Sequence, residues 1–359
     1  MTPPEDSDQA RTTMADVARR AGVGPSTVSR VVRNHPSVSP AARARVHEAI
    51  RHLDYRVDTA ARSLRTGRTH CIAVVVSDLA NPAFTEIVAT AERELTEAGY
   101  SMYVASHGQL VDRESHLVDQ FAGGVDGVIL STPDDRRAVI AASLQRRGVP
   151  VLLLDRQDPE GQRDWVSVDH RAGTCTALEA LIDAGHERIL LLGRRPAMAP
   201  GRAAQDAVDA ARAKHHRCQI DFVTTDMRYD EAFKIVSARL SGPDAPTAVI
   251  APTTQLTVGA LDAIRTLGLD TPRDLALVGS DDTVLCRLAR PDISALARDL
   301  TGLSREAVRL ILTRIALNED SNTNRGQGPL QYIIPLTFVE RASTLGWRPP
   351  ATQRLPRKG

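Results

Sequence analysis

The segment PSTVSR, Pro25 to Arg30, sets three small hydroxyls, Ser26, Thr27 and Ser29, beside one guanidinium, Arg30. If it is helical, Val28, Val31 and Val32 fall at i, i+3 and i+4 and face a core, which turns the polar side chains elsewhere. Hydroxyls and the free N–H groups of a helix start approach phosphates, and an arginine can bridge the O6 and N7 edge of guanine. That set suits duplex DNA. A second group of candidate residues, nearly all polar, follows short apolar runs along the rest of the chain. It comprises Asp78 with Asn81 and Phe84, Ser131, Asp155 with Arg156, and Asp169, then Arg202, Thr253 with Thr254, and Asp281 with Asp282. If those runs are parallel strands, these positions gather beyond the strands' carboxyl ends, where such sheets bind small ligands.

Other chemistries lack their residues. The sequence has no G-x-x-x-x-G-K-[ST] loop, no G-x-G-x-x-G after its first strand run, no G-x-S-x-G elbow and no H-E-x-x-H, so no enzyme class is indicated. Paired Asp281 and Asp282 read more simply as loop caps than as an acid–base pair. His107, His116, His170, His186, His215 and His216 show no ligand spacing on one face, and no metal or other cofactor is expected. Cys71, Cys175, Cys218 and Cys286 form no C-x-x-C pair and are read as buried, reduced thiols.

The elements that must position these residues are legible from caps and periodicity. Thr13 with Asp16 three residues on is an acidic variant of the capping box and starts a first helix, with Val17, Ala18 and Ala21 inward. Gly22 ends it. Gly24 and Pro25 open the second helix, and Ser39 and Pro40 open a third with Ala42, Val46, Ala49, Ile50 and Leu53 at helical spacing. Three short helices with one tight glycine turn make a helix-turn-helix module. From Cys71 the pattern changes to short Val/Ile/Leu runs alternating with helical segments: CIAVVV, SMYVAS, GVILS, VPVLLLD and WVSVD, then RILLLG, QIDFVTT, TAVIA and LALVGSDD. Helices are expected in the gaps, at Pro82 to Ala98, Asp134 to Arg147, Gln255 to Leu267 and Leu300 to Leu317. Two doubly wound parallel-sheet subdomains fit this count.

Length and charge agree. At 359 residues, with 42% hydrophobic and 25% charged residues, the chain has ample core for several domains. Net charge is +1, but residues 11 to 68 hold twelve arginines against four acids, a basic head on a slightly acidic body. Such asymmetry points to a polyanion at one end. No apolar run approaches the roughly 18 residues of a membrane span, and the acidic, Pro-rich start has no hydrophobic leader, so a cytoplasmic protein with no membrane partner is expected.

The string DVARRAGVGPSTVSRVVRN, continued by VSPAARARVHEAIRHLDYR and ARSLRTGRT, resembles the lactose-repressor (LacI/GalR) family of bacterial transcription regulators. SDLANPAF, GVDGVIL, VLLLDR, VSVDHRAG, ALDAIRTLGL, LALVGSDD and IPLTFVERAST extend the likeness through the body, leaving Met1 to Thr12 and Gly346 to Gly359 outside it. The resemblance implies an all-α helix-turn-helix head and a periplasmic-binding-protein-like α/β body. It implies a homodimeric repressor on a pseudo-palindromic operator of double-stranded DNA, answering to a small polar effector such as a sugar. By position it implies that Pro25, Ser26 and Arg30 read bases and that Thr27 and Ser29 contact the backbone. Thr13 and Arg33 join the DNA-binding set, and Leu64 wedges a hinge helix into the minor groove. The expected effector contacts are Asn81, Phe84, Ser131, Asp155, Arg202, Thr253 and Asp281, of which the resemblance matches Asp155, Arg202 and Asp281 by position. The implied domains are a disordered tail at 1–11, the DNA-binding head at 12–56, the hinge at 57–69, the body at 70–345 and a tail at 346–359. Within the body, one lobe takes about 70–168 and 296–328, the other about 169–295 and 329–345.

The departures fall at Gly24, Arg33 and Val57–Asp58 in the head, where the family usually has Ser, Asn and Pro-Asn. In the body they fall at Thr253–Thr254 and Ser280, in place of Asn-Asp and an aromatic, and near Gln205, where the family's usual Gly is missing. With aromatics at 3%, only Trp165 or Phe84 could supply a stacking platform for a sugar ring. The rival reading, a two-lobed solute-binding protein, predicts an export leader and no basic head, and the sequence shows neither feature.

Overall fold

The computed structural model describes residues 12–32, 35–55, 67–121, 123–135, 144, 148–319 and 328–347. The tails at 1–11 and 348–359, Arg33, the hinge positions 57–66 with Leu64, and most of the expected helix from Asp134 to Arg147 lie outside them. Contacts divide the chain into two compact units, Met1–Thr69 and His70–Gly359.

The first unit contains α1 (Met14–Ala21), α2 (Pro25–Val32) and α3 (Pro40–His52). The capping box at Thr13 forms: its side chain accepts from the Asp16 amide, and the Asp16 carboxylate accepts from the Thr13 amide at 3.0 Å. Gly22 closes α1 at φ 63°, in the left-handed region that a side chain would strain. Ser39 caps α3 through the Ala42 amide. Val17, Val28, Val31 and Val46 are fully buried and, with Ala18, Ala21 and Ala49, make one small core.

The second unit contains two six-stranded sheets. The N-lobe sheet uses β1 (Cys71–Val76), β2 (Ser101–Ser106), β3 (Gly127–Leu130), β4 (Val151–Leu154), β5 (Asp164–Val168) and β11 (Gln331–Ile334) in the order β11-β5-β4-β3-β1-β2, all parallel. The C-lobe sheet uses β6 (Arg188–Gly193), β7 (Gln219–Thr224), β8 (Ala248–Ile250), β9 (Ala276–Ser280), β10 (Ser294–Arg298) and β12 (Leu336–Val339) in the order β12-β10-β9-β8-β6-β7, parallel except for β12. The described helices between them include α4 (Pro82–Glu97), α5 (Val111–Phe121), α6 (His170–Asp183), α7 (Ala199–Lys214), α8 (Tyr229–Leu240), α9 (Thr254–Thr266), α10 (Val284–Leu288) and α11 (Leu300–Glu319). Each sheet separates two apolar layers. Strand order reverses between β1 and β3 and again between β6 and β8, and those switch points are where a doubly wound sheet opens a crevice.

The nine expected strands form at their predicted places, and three more appear. β10, β11 and β12 lack a long Val/Ile run because each borders an edge or a crossing. They also move the lobe boundaries. Residues 296–298 pair with β9 and β12 in the C-lobe sheet, whereas Gln331–Ile334 pairs in register with Trp165–Val168 of the N-lobe sheet. The chain therefore returns to the N-lobe after Arg298, not at 296, and leaves it after Ile334, not at 329.

A fork of hydrogen bonds fixes that return. Arg314 on α11 donates to both oxygens of Asp164 at the start of β5, each at 2.6 Å, and the Leu330 amide donates to the same carboxylate at 2.7 Å. Asp164 is 6% exposed. Removing the cation strands a buried carboxylate, the costly half of breaking an ion pair. Arg314→Met should lower the unfolding free energy by about 1–3 kcal/mol in urea titrations, and Arg314→Met with Asp164→Leu should recover most of it. Equal losses in the single and double variants would contradict this reading of the pair.

Candidate functional site

In the head unit the exposed face of α2 is polar. Pro25, Ser26 and Arg30 are exposed and Thr27 and Ser29 half-buried, while Val28 and Val31 on the other face are fully buried. This is the division the sequence predicts, and it leaves one guanidinium and the helix start facing solvent. The Thr13 hydroxyl is engaged with the Asp16 carboxylate at 2.6 Å. Thr13 thus holds the end of α1 while remaining at the surface.

In the body, charged residues meet where the strand ends of the two lobes converge. Arg298, the last residue of β10, donates from Nε to Asp281 at 2.5 Å and from Nη1 to Asp155 at 3.0 Å. Asp155 follows β4 in the N-lobe and Asp281 follows β9 in the C-lobe, so one guanidinium joins the two halves. His170, at the start of α6, also bonds Asp155, at 2.7 Å. Burial alone would raise Asp155, but His170, Arg298 and Arg156 hold its carboxyl well below the usual carboxylate range. Both aspartates sit at positive φ, 52° and 64°, a conformation that is disfavoured outside glycine and recurs at binding sites.

A second link crosses the same boundary. Asp135, after β3, is fully buried and accepts from Arg202 at 2.8 Å and from the Ala199 amide at 2.7 Å. Met198 gives α7 no side-chain cap, and a carboxylate from the other lobe takes that place.

Between the links lies a cavity of about 40 Å³ bordered by Asp155, His170, Arg194, Thr253, Ser280 and Arg298. That is room for a few waters, far below the roughly 300 Å³ of a small-molecule site. A groove of about 490 Å³, lined by Gln157, Arg171, Arg202 and Gln205, shares His170 with it. Several buried polar atoms nearby have no hydrogen-bond partner: Arg156 Nη2, Arg194 Nη1, Asp281 Oδ2, Ser131 Oγ and Thr254 Oγ1. Such atoms are costly unless a ligand or water satisfies them.

A close backbone approach brings the Arg194 segment against α7. A Cβ on Gly201 of α7 would come within 2.2 Å of the Arg195 carbonyl and 2.7 Å of the Arg194 carbonyl. Only glycine lets the helix press against the loop that follows β6.

Of the expected effector contacts, Asp155 and Thr253 line the cavity and Asp281 meets it through Arg298, while Arg202 lines the groove with its guanidinium committed to Asp135. Ser131 is fully buried, its carbonyl accepting from His107 at 2.7 Å. Asn81 caps α4 through the Ala83 amide, and Asp169 caps α6 through Ala172. Asp282 pairs with Arg341 at 2.6 Å. Phe84 is a correction: with Ile87, Ala91 and Leu95 it forms the sheet-facing stripe of α4 and is 2% exposed in the N-lobe core. Trp165 is likewise packed in an apolar layer of the N-lobe sheet, so neither ring borders the cavity. Sequence reasoning missed Asp135, His170, Arg194 and Arg298. Arg194 directly follows the run RILLLG, a signal that was present, whereas Arg298 ends a strand that Ala-rich SALAR does not announce.

Comparison with known proteins agrees with both units. A family model described as "Bacterial regulatory proteins, lacI family" matches residues 13–58, and one described as "Periplasmic binding protein-like domain" matches 178–344. The HTH-type transcriptional regulator CelR of Thermobifida fusca is 32% identical over 345 residues, covering 93% of this chain and 98% of the relative. Among solved structures, the lac repressor dimer bound to operator and the anti-inducer ONPF aligns with TM-score 0.78 at 27% identity, over 93% of this chain and 99% of that one. The complex of the regulator CelR with cellobiose aligns at 0.68 and 28%, over 93% and 100%.

Beside the cleft, Glu114 on α5 is 1% exposed and accepts from Thr132, whose carbonyl takes Arg156 Nε at 2.6 Å. Burial pushes its carboxyl up to about 7. With the folded value above the unfolded one, the folded state binds the extra proton, so stability falls as pH rises from the ordinary carboxylate range through about 7. Glu114→Gln should therefore match the parent near pH 4 and exceed it by about 1–3 kcal/mol at pH 8 in denaturant titrations. The same difference at both pH values would refute this.

Proposed function

The chain belongs to the lacI family of bacterial regulatory proteins, and from that premise we propose that it is a sequence-specific DNA-binding transcriptional repressor. It acts as a homodimer controlled by a small polar effector held between its lobes. The observation that carries this reading is the face of α2 on which Ser26 and Arg30 are exposed while Val28 and Val31 anchor the helix from behind. In the major groove Arg30 reads a guanine edge, Pro25 and Ser26 touch bases, Thr27 and Ser29 hold phosphates, and Thr13 and Arg33 support them. Leu64 serves as the hinge wedge in the minor groove. The homodimer draws support from exposed apolar side chains on the body, including Tyr103, Leu110, Val284 and Leu288. Two-fold symmetry makes the operator pseudo-palindromic.

Effector control needs a ligand that distinguishes two arrangements of the lobes. The Asp155–Arg298–Asp281 and Asp135–Arg202 links are the contacts that such a ligand would redistribute. The protein catalyses no reaction in this reading, in keeping with relatives that are regulators. Among the described residues no helix is long and apolar enough to cross a membrane. A DNA partner puts the protein in the cytoplasm, on the nucleoid when bound. The body alone would suit a solute-binding protein, but the basic head, with its polar recognition face, favours the regulator.

Selection of bound duplexes from a random pool should yield a two-fold-related site. Arg30→Ala should then cost about 1–3 kcal/mol at one base position in each half-site and relax discrimination there. Titration against the selected site and against one mutated at that base checks it. An equal loss on both would show that Arg30 contacts only the backbone, and failure to select any duplex would overturn the function.

A further inference from the structure

Resting on the reading of the cleft as an effector site, we infer that the effector carries an oxyanion, a carboxylate or a phosphate, which pairs with Arg194 at the C-lobe switch point. Arg194 follows β6, next to the reversal of strand order, and lines the enclosed cavity. It is 8% exposed, and its Nη1 has no hydrogen-bond partner. Among the described residues no carboxylate forms an ion pair with it. Burial, and then the like charge of Arg156, push its guanidinium down to about 9, against partial relief from Asp155 and Asp281 at longer range. It stays cationic at neutral pH, so the folded chain holds a buried charge that pairs with none of the described carboxylates.

The nearby carboxylates each have a cationic partner, although Asp281 keeps Oδ2 without one. Asp155 is held by Arg298 and His170, Asp281 by Arg298, and Asp135 by Arg202 and the Ala199 amide. Arg156 donates only to the carbonyls of Thr132 and Asp155 and keeps Nη2 unpaired, with Asp155 Oδ2 3.9 Å from Nη1. Four guanidiniums, those of Arg156, Arg194, Arg202 and Arg298, thus face three aspartates, Asp135, Asp155 and Asp281, with the buried Glu114 beyond Thr132, and the two unpaired donors come from opposite lobes. An oxyanion supplies the missing charge and acceptors at once, since guanidinium forks match carboxylate and phosphate oxygens. A neutral sugar fits less well. No Phe, Tyr or Trp is among the residues bordering the cavity, and hydroxyls would leave the excess charge uncompensated.

Calorimetry and thermal unfolding of the full chain test this at fixed ionic strength. The anionic probes are gluconate, glucose 6-phosphate and inorganic phosphate, with glucose and cellobiose as neutral counterparts. At least one anion should bind and stabilise the protein, and comparison of the first two probes separates carboxylate from phosphate. Arg194→Gln should weaken that binding about ten- to hundredfold, and Arg194→Lys should retain part of it. Without ligand, Arg194→Met should raise the unfolding midpoint by roughly 2 °C or more, because it removes an unpaired buried charge. A structural role would lower it. The inference fails if the midpoint falls, if no anion binds, or if a neutral sugar binds with an affinity indifferent to Arg194→Gln. Operator binding by the same wild-type preparation scores the repressor reading separately.

Discussion

Arg298 is shared by two buried carboxylates that belong to different halves of the body, and the geometry of the cleft follows from that sharing. Two aspartates facing one another in a low-dielectric gap would repel strongly. With the guanidinium between them each carboxylate has a cationic partner, and the strand ends of β4 and β9 come together around only a small cavity. The positive φ at each aspartate is the local cost of aiming both carboxylates at one point. Any rearrangement of the lobes must therefore redistribute these charges. A ligand that enters the cleft acts on the same balance of desolvation and pairing that fixes the closed form.

The head solves a different problem. Among the described residues its core has seven small buried side chains, with Met14, Ile50, Leu53 and Tyr55 among those packed partly buried around them, so its short helices also depend on their ends. The reciprocal bonds of Thr13 with Asp16, the left-handed Gly22 and the Ser39 cap set where each helix begins or stops. Those constraints leave α2 with an anchored face and a free one. The same sequence signals that define the helices thus define which side chains can meet a partner.

Those signals are local, which is why the head and the strands β1 to β9 could be read directly from spacing. Val17, Val28 and Val46 repeat at helical intervals, and buried parallel strands such as CIAVVV and RILLLG are nearly continuous apolar runs. What escaped was set by distant partners. β11 has exposed Tyr332 and Ile333 and exists because Gln331–Ile334 pairs with Trp165–Val168. Phe84 read as a site residue because it follows a strand, but the phase of α4 points it into the core. The cleft was legible in part. Asp155 and Asp281 announce themselves at strand ends, whereas Arg298 and Asp135 acquire meaning only when residues more than sixty positions apart are brought together.

The placement of the last two strands bears on how the body is made. β11 completes one sheet at β5 and β12 completes the other at β10, and both lie within nine consecutive residues, 331–339. A nascent polypeptide emerging from the ribosome carries each sheet with a bare edge until that short stretch appears. One short stretch thus supplies an outer strand to both lobes, and a lesion in it would bare an edge of each sheet at once.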